Sequence, residues 1–210
     1  MRPKKDIGEL SFIERARRAQ IIEHAIDRIA TLGYAQTSLA RVAEEAGISK
    51  GVISYHFQSK NDLVIAIAES IDAEATLFIK PRVLAEKTAG GMLRAYITSN
   101  IEFMRMHVTH LRVLVDITAS ARTNEGTPLL AAQAEAVIAE LELILRKGQE
   151  DGDFRDFTPR TISISIRAAI DAFGSRLAVD PSLDLDAATR DLVSLFDAGL
   201  RAPSVASVGD

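Results

Sequence analysis

Cysteine is absent from the 210-residue chain, and histidine occurs only as His24, His56, His107 and His110. The first absence excludes structural disulfides, thiolate metal sites and cysteine nucleophiles. No apolar run approaches the roughly 18 residues needed to cross a bilayer. The charged opening Met1-Arg2-Pro3-Lys4-Lys5-Asp6 leads into no apolar segment, unlike a secretory signal. A cytoplasmic protein without a membrane partner is therefore expected. Catalytic signatures are missing too: there is no Gly-rich phosphate loop, no His-Glu-x-x-His and no Gly-x-Ser-x-Gly. The stretch Asp151-Gly-Asp-Phe-Arg-Asp156 resembles the start of a calcium loop. It has Asp156 where the turn needs Gly and Ile162 where the bidentate Glu belongs, so it reads as a turn. Neither enzymatic activity nor a metal or cofactor is expected.

What is present is unevenly distributed. The net charge of −4 divides into +3 over residues 1–60 and −7 over residues 61–210. A basic head on an acidic body suggests that one end meets a polyanion. The helical period runs through nearly every segment, and no convincing strand or repeat interrupts it. Ile22, Ala25, Ile26 and Ile29 form a stripe that Gly33 stops. Short helices follow at about 38–45 and 50–57. Ser59 and Asp62 then open a longer helix carrying Leu63, Ile67, Ile71, Ala75 and Phe78, with Pro81 marking a boundary near its end. A further helix starts near Gly90-Gly91, and another covers 108–121. Thr127-Pro128 and Thr158-Pro159 each read as an N-cap followed by proline at the first helical position. The first would open a helix to about Lys147, the second a stripe through Ile162, Ile166, Ile170, Phe173 and Leu177. Asp184 or Asp186 caps a last helix. The expectation is an all-α protein of about nine helices. It divides into a basic head with its arm (1–60), an acidic helical body (61–202), and a disordered tail (203–210).

The informative stretch is Thr37–Phe57. Two short helices meet at Gly47, where a left-handed backbone is cheap only for glycine. Leu39, Val42, Ala43 and Ala46 face inward from the first helix, and Ile48, Ile53 and Phe57 from the second. Ser49 caps the second helix and leaves Lys50, Gly51, Val52, Ser54 and Tyr55 outside. Lys50 can reach a guanine edge or a phosphate, Val52 a thymine methyl, and Gly51 permits close backbone approach. Ser38 and Ser49 open helices and suit phosphates, as do Tyr55, His56 and Lys60; Arg41 completes the DNA-facing set. Arg2, Lys4 and Lys5, with Arg17 and Arg18, either reach flanking DNA or form a solvated arm. A bare helix-Gly-helix pattern is commoner as a core hairpin. The preceding capped helix, the basic head and the run Gly51–Phe57 before Ser59-Lys60 tip the reading to DNA.

These residues carry a resemblance. Gly33-Tyr34, Thr37-Ser38, Val42-Ala43, Ala46–Gly51, Tyr55–Phe57 and Ser59-Lys60 together resemble the DNA-binding domain of the TetR family of bacterial repressors, over about residues 16–63. One position departs: Ser54 stands where many members carry tyrosine, so that contact is not carried over. The resemblance implies a variable ligand domain and a homodimer formed through the last two long helices, about 159–179 and 185–201. It also implies a near-palindromic double-stranded operator. Where the family places its cavity stand Phe103, Met104, His107 and Leu111. Asn100 and Asp116 are further polar candidates, and Phe154 and Phe173 candidate walls. Their apolar majority suggests a small, largely apolar effector. The implied function is a repressor released by that effector; a ligand-responsive activator or an architectural helical protein are the alternatives.

Overall fold

The computed structural model describes residues 11–202. The expected tail, and Arg2, Lys4 and Lys5 of the expected arm, lie outside the described residues. Nine helices fill the described residues: α1 (Phe12–Leu32), α2 (Leu39–Glu45), α3 (Lys50–His56), α4 (Lys60–Leu84), α5 (Ala89–Met106), α6 (Val108–Ser120), α7 (Ala131–Glu150), α8 (Pro159–Val179) and α9 (Leu185–Leu200). The all-α expectation holds; the only extended pairings described are isolated bridges at Arg122–Pro128 and Phe154–Arg201. The chain forms two compact units. One comprises the described part of Met1–Ile71 with Arg112–Leu130, the other Asp72–Leu111 with the described part of Ala131–Asp210.

In the first unit, α1 begins with a capping box. The Ser11 hydroxyl accepts the Glu14 N–H, and the Glu14 carboxylate accepts the Ser11 N–H. Its buried face, Ile21, Ile22, Ala25, Ile26 and Ile29, packs on α2, where Val42 and Ala43 are buried; Ile53 of α3, Phe57, and Leu63, Val64 and Ile67 of α4 are buried in the same unit. Ile53 and Phe57 are almost fully enclosed, worth roughly 1.5–3 kcal/mol each in transfer free energy. Arg28, also buried, joins α1 to α2 through the Glu45 carboxylate and donates to the Gln36 carbonyl at 3.2 Å.

The second unit is organised around α5, which contacts α7, α8 and α9. Leu93, Ile97 and Ile101 of α5, Leu141 and Leu145 of α7, Ile166 and Ile170 of α8, and Leu192 of α9 make its core. Gly148 of α7 is a contact glycine: a Cβ there would lie 2.1 Å from the Phe154 ring and 2.9 Å from Ala89.

Pro81 lies near the end of α4, as expected, and the helix continues three residues beyond it to Leu84. Proline removes the donor for the carbonyl four residues back; that residue, Leu77, is 78 % exposed, so water can replace the lost partner. Thr127-Pro128 does not open α7. Thr127 is used in a loop, its carbonyl accepting the Thr123 N–H at 2.9 Å, and the helix starts at Ala131 and runs past Lys147 to Glu150. Pro159 does take the first position of α8, but the Thr158 side chain makes no capping hydrogen bond. Asp184, rather than Asp186, caps α9, accepting the Ala187 N–H at 2.9 Å.

Candidate nucleic-acid interface and ligand residues

The turn between α2 and α3 is built as the sequence requires. Gly47 has φ +64°, and the Ile48 N–H donates to the Ala43 carbonyl at 2.9 Å, closing the corner. Ser38 caps α2 by accepting from the Arg41 N–H, and Ser49 caps α3 by accepting from the Val52 N–H. With Ile53 and Phe57 turned inward, Lys50, Gly51, Val52, Ser54 and Tyr55 form the exposed face of α3, and Arg41 is exposed on α2. This face is mixed: a cation, a small apolar group, a hydroxyl and a phenol lie within two turns.

Several expected DNA-facing groups already have partners within this unit. The Tyr55 hydroxyl donates to Glu14 Oε1 at 2.5 Å. Arg18 donates to the His56 carbonyl at 2.8 Å, and its guanidinium lies 4.2 Å from the Phe57 ring centre, a cation–π contact. Burial first, then the charges of Arg18 and Arg17, hold the His56 imidazole below its ordinary pKa, against a smaller opposing pull from Glu14. A depressed pKa makes the neutral ring the main form at pH 7, so His56 meets an acceptor through one N–H rather than as a cation.

Lys60 is held more closely than its sequence position suggests. Its ammonium donates to the Tyr34 carbonyl at 2.5 Å and sits 3.6 Å from the centre of the Tyr34 ring. Burial lowers its pKa, and Asp116 pulls the other way. The same Asp116 accepts the Tyr34 N–H at 2.6 Å through Oδ2 and the Ser120 hydroxyl at 3.1 Å through Oδ1. Asp116, a sequence candidate for ligand contact, therefore sits in the first unit, against the segment that leads into α2. No local pattern announces this role, because it joins residues 82 positions apart in the chain.

The remaining ligand candidates lie in the second unit. Asn100 is buried, donates to the Tyr96 carbonyl at 2.9 Å, and accepts from Arg167 at 3.0 Å. The Arg167 side chain is part-buried, 20 % exposed. Burial alone would lower its pKa, but the Asp171 carboxylate and the Tyr96 hydroxyl more than reverse that and raise it. Phe103 stacks on His107 with ring centres 4.2 Å apart. Met104 and Leu111 close on Gly174, whose missing side chain leaves room for both. Phe173 is half-buried on α8, whereas Phe154 covers Gly148 and stands beside Phe157. Phe103, Met104, His107 and Leu111 thus belong to one neighbourhood of α5 and α6, and Phe154 to the α7 contact.

Comparison with known proteins bears on both units. A family model described as bacterial regulatory proteins, tetR family, matches residues 21–67, which hold most of α1, both helices of the turn and the start of α4. The regulator BetI of Pectobacterium carotovorum is 30% identical over 107 residues, covering 50% of this chain and 55% of its own. The chain spans about half the length of the curated relatives it matches. Among solved structures, the fatty acid degradation regulator FadR of Bacillus halodurans superposes with TM-score 0.77 at 20% identity, over 95% of this chain and 100% of its own. FadR of Bacillus subtilis, solved in complex with stearoyl-CoA, gives TM-score 0.75 at 22% identity, over 86% and 98%. The family match falls on the turn and its exposed recognition face, and the nine-helix fold is that of these solved structures. Residues 21–67 thus match the tetR family of bacterial regulatory proteins, and the fold around them is the one these solved regulators share.

Proposed function

We propose that this chain is a sequence-specific DNA-binding repressor that acts as a homodimer and leaves its operator when a small, largely apolar effector binds. The exposed face of α3 is the observation that carries this reading, because it combines base-reading groups with an inward face fixed by Ile53 and Phe57. Lys50, Gly51 and Val52 are the readers. Ser38, Arg41, Ser49, Tyr55, His56 and Lys60 are the backbone contacts, and Ser54 lies between the two groups. Reading residues 1–60 as the DNA-binding part and 61–202 as the sensing and dimerising part follows the family organisation.

Dimerisation through α8 and α9 is supported by apolar side chains those helices leave exposed, Ile164, Val179 and Leu195. A two-fold dimer would set two α3 helices about one DNA turn apart, roughly 34 Å, on a near-palindromic operator. The stearoyl-CoA complex of the B. subtilis relative and the apolar set Phe103, Met104, Leu111 and Phe173 support an apolar effector. A cytoplasmic location follows from the same reading; among the described residues no helix is long and apolar enough to cross a membrane.

Selection from a randomised double-stranded DNA pool with the full chain tests the proposal. Enrichment of an inverted repeat, and its loss with Lys50→Ala plus Val52→Ala, is the expected result. Equal recovery of all sequences overturns it. Acyl thioesters and free fatty acids of graded length are then the effectors to screen for release.

A further inference from the structure

We infer that Glu74, His107 and His110 form a binding site for a borderline divalent transition-metal ion of the zinc type. The three residues come from α4, the α5–α6 junction and α6, all within the second unit. One ligand atom from each lies within 4.8 Å of the others. His107 Nδ1 is 3.7 Å from Glu74 Oε1, and His110 Nδ1 is 3.3 Å from Glu74 Oε2. Ligands bound to zinc at about 2.0–2.2 Å in a tetrahedral arrangement stand some 3.3–3.5 Å apart. Side-chain adjustments of an ångström or less therefore bring the trio onto one ion.

A simple carboxylate–histidine hydrogen-bond cluster accounts poorly for the geometry. The His110 Nδ1 atom is buried and has no hydrogen-bond partner among the described residues, because its approach to Glu74 lacks hydrogen-bond geometry. A nitrogen withdrawn from water and aimed at a carboxylate at 3.3 Å is left wanting either a proton or an ion.

The surroundings favour an ion. His107 ends α5 with its N–H donating to the Phe103 carbonyl at 3.0 Å, so its backbone is fixed. Its ring is stacked on Phe103, and Phe103 in turn meets Phe78, with ring centres 5.9 Å apart. The stacked ring fixes the orientation of His107. An open cleft of about 280 Å³, lined by Met106, His107, Val108, Thr109 and His110, gives access. Three protein ligands and an open side leave a coordination position for water or a small donor molecule. Two imidazoles and one carboxylate suit zinc, cobalt or nickel; magnesium and calcium prefer oxygen ligands.

The full chain, stripped with chelator, is titrated with Zn²⁺ by calorimetry and with Co²⁺ by visible absorption. One ion per chain is expected, with the d–d bands of nitrogen-and-oxygen-ligated cobalt. Glu74→Gln should weaken binding at least about tenfold, and His107→Ala with His110→Ala should abolish it. His24→Gln, which changes an exposed histidine of α1, should bind as the parent does. Zn²⁺ should raise the melting temperature of the parent and of His24→Gln but not of the double variant, whose own melt in chelator shows that it is folded. Absence of binding by the parent overturns the inference, and so does binding that the folded double variant retains. None of these readouts depends on DNA.

Discussion

The carboxylate of Asp116, near the end of α6, accepts the main-chain N–H of Tyr34 at 2.6 Å, in the loop that leads into α2. The Tyr34 carbonyl is held as well, by Lys60 at 2.5 Å. The peptide groups on both sides of one residue are thus fixed by charged side chains from two other helices. Asp116→Ala removes the acceptor and leaves a part-buried N–H unpaired. It should cost about 1–3 kcal/mol in urea unfolding. It should also weaken operator binding without changing which sequence is preferred.

On the proposed reading Lys50 reads a base and Lys60 anchors the backbone, and their variants should behave differently. Lys50→Ala should relax discrimination at one base pair by about 1–3 kcal/mol, measured by fluorescence anisotropy on operator variants. Lys60→Ala should weaken operator and random DNA alike, and lower the slope of log affinity against log salt by about one if its charge meets a phosphate. Because Lys60 also holds Tyr34, its variant should unfold earlier in urea, whereas Lys50→Ala should not. Equal losses on operator and random DNA for Lys50→Ala would remove its assignment as a base reader.

The His56 imidazole is held below its ordinary pKa in the folded chain by burial and by Arg18. The unfolded chain therefore binds more protons over the interval between the two values. Stability rises with pH through that interval and falls as the pH drops below about 6.5. Urea unfolding of the parent from pH 7.5 to 5 should show this loss, and His56→Gln should lose less over the same range.

Two glycines should fail for different reasons. At Gly47 an added Cβ meets nothing within 4 Å, but φ is +64°. Gly47→Ala should cost roughly 1–2 kcal/mol through the backbone alone, with Gly47→Asn milder. At Gly148 a Cβ would lie 2.1 Å from the Phe154 ring. Gly148→Ala should cost roughly 1–3 kcal/mol or more by overpacking. Phe154→Leu should recover part of that in the double variant, which thermal melts can measure.

Local chemistry made most of the fold legible. The cap at Ser49, the corner at Gly47 and the four-spaced stripe through Ile166 and Ile170 depend only on neighbours along the chain, and each lies where the pattern puts it. Thr127-Pro128 misled because a local signal competes with context: a threonine can join a loop instead of capping a helix. The outward face of α3 was legible for the same local reason. The grip of Asp116 on Tyr34, the bond from Arg167 to Asn100 and the meeting of Glu74 with His107 and His110 were not. Each joins helices distant in sequence, and no periodicity encodes such pairings.

The hydrogen bond from Tyr55 to Glu14 gives the recognition helix a rival to DNA inside its own chain. A phosphate that takes this hydroxyl must displace a carboxylate, so the contact is an exchange and not a pure gain. The exchange also leaves a negative side chain near the incoming polyanion. If Tyr55 meets DNA as proposed, it would therefore lend less to tightness than its exposure suggests.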